Sequence, residues 1–159
     1  VVIQLYALRY PDDIAGLVFV DPTVSRTPPG SALVRTTSFA LASKLLRLRA
    51  LMPSKASRSL RELARTLAAM PHHMREVADA RTLPPVPIRV ITAGQRPRMP
   101  QTQLAHLNAN HHELATQSPR GRLTIAERAT HQIPHDQPEI IIQAVEDVLR
   151  QLDAPQAEP

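Results

Sequence analysis

Apolar positions along the chain fall into short continuous runs and longer periodic ones. "VVIQLYALRY" has apolar residues at 1, 2, 5 and 8, with Ile3, Tyr6 and Ala7 between them. That spacing predicts a helix apolar on most sides, buried between layers, and ended by Pro11. "IAGLVFVDP" is apolar without a break from Leu17 to Val20, as expected of a parallel strand covered on both faces and closed by Asp21-Pro22. Residues 23–30, "TVSRTPPG", form a turn-rich break. From Ser31 to about Arg81 the period is helical and predicts three helices. The first stops near Pro53, the second carries Leu60, Leu63, Ala64 and Leu67, and the third starts with Pro71 in its first turn. "VPIRVITAG" predicts a second strand, with Gly94 opening a loop. "QTQLAHLNANHHELATQS" predicts a helix and "GRLTIAE" a third strand. In "QPEIIIQAVEDVLRQL" the stripe Ile141, Val145, Val148 and Leu152, widened by Ile140, Ala144 and Leu149, is the clearest helical face. Its 16 residues would span roughly 24 Å. "DAPQAEP" is a polar tail expected to fray.

Strands that alternate with helices imply an α/β domain with a parallel sheet and right-handed crossovers. Ligands of such sheets bind beyond the carboxyl ends of the strands. Here those ends are Asp21 to Thr23, Ala93 to Arg96, and Arg128 to His131. His131 stands in the short loop "ATHQIP", between a strand and a helix.

Composition narrows the chemistry. The 159 residues, 43% hydrophobic, can form a packed core, and with only 3% aromatics that core is aliphatic. The lack of cysteine excludes disulfides, thiolate catalysis and cysteine-ligated metals. It fits a reducing, cytoplasmic setting. No apolar run approaches the roughly 20 residues of a membrane span. The chain opens on Val1 inside structured sequence, without a signal-peptide pattern, and is expected to be a piece of a longer protein or a processed product. Net charge is +5, concentrated in residues 35–65: Arg35, Lys44, Arg47, Arg49, Lys55, Arg58, Arg61 and Arg65 stand against Glu62 alone. This is either a surface for nucleic acid or anionic lipid, or a solvated helix face. With no interleaved aromatics to stack on bases, the solvated face is the stronger reading, and no nucleic-acid partner is expected.

The ordered segments resemble the C-terminal part of an α/β-hydrolase. "VVIQLYALRYPDDIAGLVFVDPT" resembles the helix after the nucleophile elbow and the strand that follows it. "VPIRVITAG" resembles the next core strand, and "SPRGRLTIAERATHQIPHDQPEIIIQAVEDVL" the final strand, histidine loop and last helix. The resemblance implies three parallel strands with flanking helices and a helical lid insertion. Its segments are a core at 1–22, a lid at 23–85, a C-terminal core with the histidine loop at 86–153, and a tail at 154–159. In that family a Ser in a G-x-S-x-G elbow attacks an acyl carbon, a His takes its proton, and an acid orients the His. The resemblance makes His131 the base. No acid follows "IRVITAG" before Glu113, which falls in a predicted helix, so the other family position, at the end of the preceding strand, points to Asp21. Asp21 has an equal second reading as a turn residue that bonds nearby amides ahead of Pro22.

The chain departs from the family pattern in having no G-x-S-x-G. The elbow and the oxyanion donors are expected just before Val1. Losing a single oxyanion donor costs roughly 100- to 1000-fold in rate, so the chain alone is expected to be inactive. The strand that would flank residues 16–20 is expected to be missing too, leaving "LVFV" as an apolar edge prone to aggregation. Asp136, Pro138 and Glu139 read as the capped start of the last helix. The pairs His72-His73 and His111-His112 point in different directions on a helix, so neither pair chelates by itself and no metal is expected. Thr92-Ala93-Gly94 has too few glycines to cradle a phosphate, and no cofactor is expected. The intact protein is therefore expected to cleave a small carboxylic ester or related acyl substrate, its lid shaping an apolar pocket. The competing class is a non-catalytic interaction protein of the same fold that uses the basic 35–65 surface.

Overall fold

The computed structural model describes residues 1–23, 32–52, 55–79 and 82–153, with side chains described from 37 onward in the second stretch. The break at 24–30, the stop at Pro53 and the tail at 154–159 lie outside the described residues. The elements in chain order are α1 (Val2–Arg9), a 3-10 turn (Pro11–Asp13), β1 (Leu17–Val20), α2 (Ala32–Arg49) and α3 (Ser57–Asp79). They continue with β2 (Ile88–Ala93), α4 (Gln101–Thr116), β3 (Arg122–Ala126), α5 (Ile133–Asp136) and α6 (Pro138–Asp153). The chain divides into two compact units, Val1–Val24 with Arg81–Pro159, and Ser25–Ala80.

The first unit is built on one parallel sheet in the order β1-β2-β3. Leu17 is level with Ile88 and Val20 with Ile91 on one side, and Arg89 with Arg122 and Ala93 with Ala126 on the other. All six residues of β2 are buried, whereas β1 alternates buried and half-buried positions. Cover on both faces thus belongs to the central strand, not to β1, which among the described strands pairs with β2 only.

Two clusters fill the faces of the sheet. Ala7, Leu17, Phe19, Leu83, Ile88, Val90, Leu114 and Ala115 form one, and Ile91, Ala93, Ala126, Ala129, Ile133 and Ala144 the other. Removing each large aliphatic side chain from water contributes about 1.5–3 kcal/mol. One charged group sits inside this sheet. Arg89 is 3% exposed, donates to the Arg120 carbonyl at 2.9 Å, and has Asp147 of α6 at 3.7 Å. Burial lowers its pKa, and Asp147 opposes that shift.

Helix α1 differs from expectation. Leu5 and Ala7 are buried, but Val2, Ile3 and Tyr6 are exposed. A single face meets the sheet, and an apolar sequence does not by itself provide cover for the opposite side. Helix α6 shows the same effect. Ala144 and Val148 turn inward, while Val145, Leu149 and Leu152 of the expected stripe are exposed.

The second unit is a pair of helices in which α2 packs on α3. Small residues permit close approach: Ala50 and Ala64 are buried, and buried Ser43 donates through Oγ to the Ala64 carbonyl at 2.9 Å. The described part of this block holds one long helix where two were expected, since α3 runs through Pro71 without a break. Proline costs an interior helix about 3 kcal/mol by removing an N–H and crowding the carbonyl four residues back. Packing along a 23-residue helix outweighs that local penalty, so Pro71 is not a boundary.

No helix among the described residues is long and apolar enough to cross a membrane.

Candidate functional site

The carboxyl ends of the strands converge on Asp21. It follows β1 directly and has φ 44°, a left-handed conformation that Asp tolerates better than most residues. Its backbone N–H donates to the Ile91 carbonyl at 2.7 Å, which continues the β1–β2 ladder by one residue. The turn that results leaves the side chain 2% exposed, with its oxygens among groups that follow or end β2 and β3.

Both carboxylate oxygens are used. Oδ2 lies 2.5 Å from Nδ1 of His131. Oδ1 accepts from the Ala93 N–H at 3.3 Å and pairs with the guanidinium of Arg96, whose side chain is 12% exposed. The two sequence readings of Asp21 are therefore compatible, since one oxygen serves backbone and Arg96 while the other meets His131. With the carboxylate as acceptor, Nδ1 carries a proton, and in the neutral ring this leaves the lone pair on Nε2. The imidazole is 72% exposed. Glu113, the weaker acid candidate, lies in α4.

The sequence does not single out Arg96. The signal available was a basic connection, "QRPRMPQTQ", following the strand next to a lone acid. Gly94 sets the course of this connection. A Cβ there would lie 2.7 Å from the Glu127 Cα, so only glycine lets the segments after β2 and β3 run this close. Across that contact, Gly94 N donates to Ala126 O and Gln95 N to Ala129 O, both at 2.9 Å.

The histidine loop is closed by Asp136. One carboxylate oxygen accepts from the Thr130 N–H at 2.9 Å and from the Thr130 hydroxyl at 2.6 Å. These bonds, with His135 alongside, lower the Asp136 pKa. Asp136 is the last residue of α5 and does not cap α6, which corrects the sequence expectation. Glu139 does not complete a capping box either: it pairs with Arg128 at 2.9 Å, and Gln137 Oε1 accepts from the Arg128 N–H. The same D-Q-P-E letters suit both arrangements, and the Thr130 donors decide between them.

His111 of α4 is 1% exposed and donates from Nε2 to the Pro22 carbonyl at 2.8 Å, tying that helix to the turn after Asp21. Its Nδ1 is buried with no hydrogen-bond partner. A second proton would have to sit on that unsolvated nitrogen, and burial accordingly lowers the His111 pKa, opposed by the Pro22 bond and Asp21. His112 is exposed, so this pair diverges as adjacent helical residues do. Beside His131, the residues Gln95, Arg96, Pro97, Arg98, Met99 and Gln103 line an open cleft of about 370 Å³.

No protein-family model matches this chain, and no curated protein does. Solved structures do. MenH from S. aureus superposes with a TM-score of 0.59 at 12% identity, covering 95% of this chain and 66% of that one. NosK from Streptomyces actuosus has a TM-score of 0.46 at 21% identity, covering 95% and 64%. The chain thus spans just under two thirds of the length of these proteins. Together with the three parallel strands and their flanking helices, the MenH likeness shows that this chain has a partial α/β-hydrolase fold.

Proposed function

We propose that this chain carries the base and the orienting acid of a serine-type α/β-hydrolase acting on a carboxylic ester or related acyl substrate. One observation carries the reading: Asp21 Oδ2 and His131 Nδ1 lie 2.5 Å apart at the carboxyl ends of the strands. Asp21 holds the ring with its proton on Nδ1. Nε2 then takes the proton of an attacking hydroxyl and later gives it to the leaving alcohol, while Asp21 stabilises the imidazolium between these steps. Arg96 and the Ala93 N–H hold the second oxygen and fix the carboxylate plane. The hydroxyl itself is assigned to residues outside these 159, because no G-x-S-x-G occurs among them. The cleft beside His131 offers apolar carbon from Pro97 and Met99 and a cationic group from Arg98, which suits an acyl group with a polar end.

A fluorophosphonate probe applied to the full-length protein tests this. Covalent labelling of a serine, lost in His131→Ala, is the expected result. Absence of labelling in a folded full-length protein would overturn the reading, as would p-nitrophenyl acetate turnover by these 159 residues well above a His131→Ala control. The competing class draws support from the exposed Lys44, Arg47, Arg49 and Arg58 on α2 and α3. Tight DNA binding that weakens steeply with salt, without probe labelling, would favour it.

A further inference from the structure

Helix α3 brings together three donors that the site above does not use. His72 and His73 directly follow Pro71, and Glu76 lies four residues after the first and three after the second. These are the two helical spacings at which side chains meet on one face, so Glu76 reaches both histidines although they diverge from each other. Glu76 Oε2 is 4.0 Å from His72 Nε2 and 3.6 Å from His73 Nδ1, and one donor atom from each residue fits within 4.8 Å of the other two. The 3.6 Å approach is too long for a hydrogen bond, and His73 Nδ1 is buried without one.

These separations are those of a ligand set in place at His73 and Glu76 and open at His72. A tetrahedral ion with bonds of about 2.0–2.2 Å holds its donors roughly 3.4 Å apart. His73 and Glu76 are within about 0.2 Å of that spacing. His72, 73% exposed, has to swing toward both of them, since the three donors together fit only within 4.8 Å. Two imidazole nitrogens and one carboxylate oxygen suit zinc and its neighbours rather than magnesium or calcium, and leave a fourth position for water.

We propose that His72, His73 and Glu76 bind a divalent transition ion of the zinc class, which staples α3 across the turn that follows Pro71. Pro71 has no N–H to give to the Leu67 carbonyl, so α3 lacks one bond in the turn just before these ligands. A metal bridge from 72 and 73 to 76 fixes the turn with which the helix resumes beyond that gap.

The test titrates zinc chloride into the 159-residue chain at neutral pH by calorimetry, with amide exchange read by NMR. One ion per chain with micromolar affinity, slower exchange across residues 72–79, and no comparable binding of magnesium or calcium are expected. His73→Ala and Glu76→Gln should each weaken binding by more than about tenfold. Both side chains are partly exposed, so helicity should be unchanged; if His73→Ala perturbs it, the near-isosteric Glu76→Gln decides. No zinc binding at near-millimolar metal would overturn the proposal. So would affinity that survives His72→Ala/His73→Ala, which would assign the ion to other histidines.

Discussion

Asp21 and His131 are 110 positions apart in sequence and meet through Oδ2 and Nδ1 at 2.5 Å. A left-handed turn after β1 delivers the acid, and a loop after β3 delivers the imidazole. The strand between them contributes the Ala93 N–H, and the connection after it contributes Arg96. The carboxylate is held at both ends, so its unbonded directions are few.

That arrangement makes the proton on His131 sensitive to Asp21. Asparagine keeps the size of the side chain and tolerates φ 44°, but its amide NH₂ can face Nδ1 and leave the proton on Nε2. In the full-length enzyme proposed above, Asp21→Asn is therefore expected to lower kcat about 10⁴-fold with little change in KM. Steady-state kinetics on an ester substrate, beside His131→Ala, measures this. A loss below about tenfold would remove Asp21 from the orienting role.

Arg96 gives the same carboxylate a structural duty. Deleting one member of a buried ion pair leaves the other uncompensated and costs about 3–5 kcal/mol. Arg96 is 12% exposed, so Asp21→Ala is expected near the lower end, about 3 kcal/mol, by urea unfolding. Arg96→Met in the Asp21→Ala background should recover part of that loss. Additive effects of the two substitutions would mean that the ion pair contributes nothing.

His111 sets a pH dependence of stability. Its folded pKa is lowered by burial, so between the folded value and about 6.5 the unfolded chain binds the extra proton and the folded chain does not. Stability from this group is complete above about pH 6.5 and declines as pH falls toward the folded pKa. Asp136 and Asp147, both also lowered, extend the decline into the range below the ordinary aspartate value of 3.8. His111→Gln is expected to flatten the first part of the profile and leave the second. Chemical denaturation across a pH series separates the two.

Much of this was legible in sequence, and the failures have physical causes. The strands at 17–20, 88–93 and 122–126 stand out because apolar runs are bounded by Gly, Pro and Asp, the residues that end strands. His131 and Asp21 stand out because each occupies a strand end in an α/β alternation. Arg96 and His111 do not, since a basic loop residue and a helical histidine look alike whether or not a carboxylate or carbonyl waits for them. Arg89 sits in an apolar strand and gives no sign that Asp147 faces it. Pro71 reads as a helix start because the local cost of proline is visible in sequence and the packing of α3 on α2 is not. Apolar letters in α1 and α6 report a tendency to be covered, not the presence of a cover.

The Asp136–Thr130 contact is expected to govern the order of the histidine loop. Asp136→Ala removes the acceptor for both the Thr130 N–H and its hydroxyl, and the Thr130 hydroxyl in turn accepts from the Gln132 N–H at 3.2 Å. Amide exchange at Thr130 should accelerate by more than about tenfold while β2 amides are unchanged, because loop opening is local. Thr130→Val keeps the backbone bond and should give a smaller effect. Equal exchange in wild type and Asp136→Ala would show that the loop is held by other means.

Gly94 is where the two site-bearing segments come closest. An alanine Cβ would lie 2.7 Å from the Glu127 Cα and 3.0 Å from the Ala126 and Glu127 carbonyl oxygens, all backbone atoms with no side chain to rotate aside. Gly94→Ala must therefore displace the segment after β3, stretching the bonds from Gly94 N and Gln95 N that align the two strand ends. The expected cost is about 1–3 kcal/mol, as for other overpacked sites. Because the displaced segment leads directly to His131, the Asp21 contact should open with it, visible as a change in the His131 ring resonances. A Gly94→Ala chain with wild-type stability and unchanged His131 resonances would show that the strand ends move freely and that Gly94 does not set the spacing between Asp21 and His131.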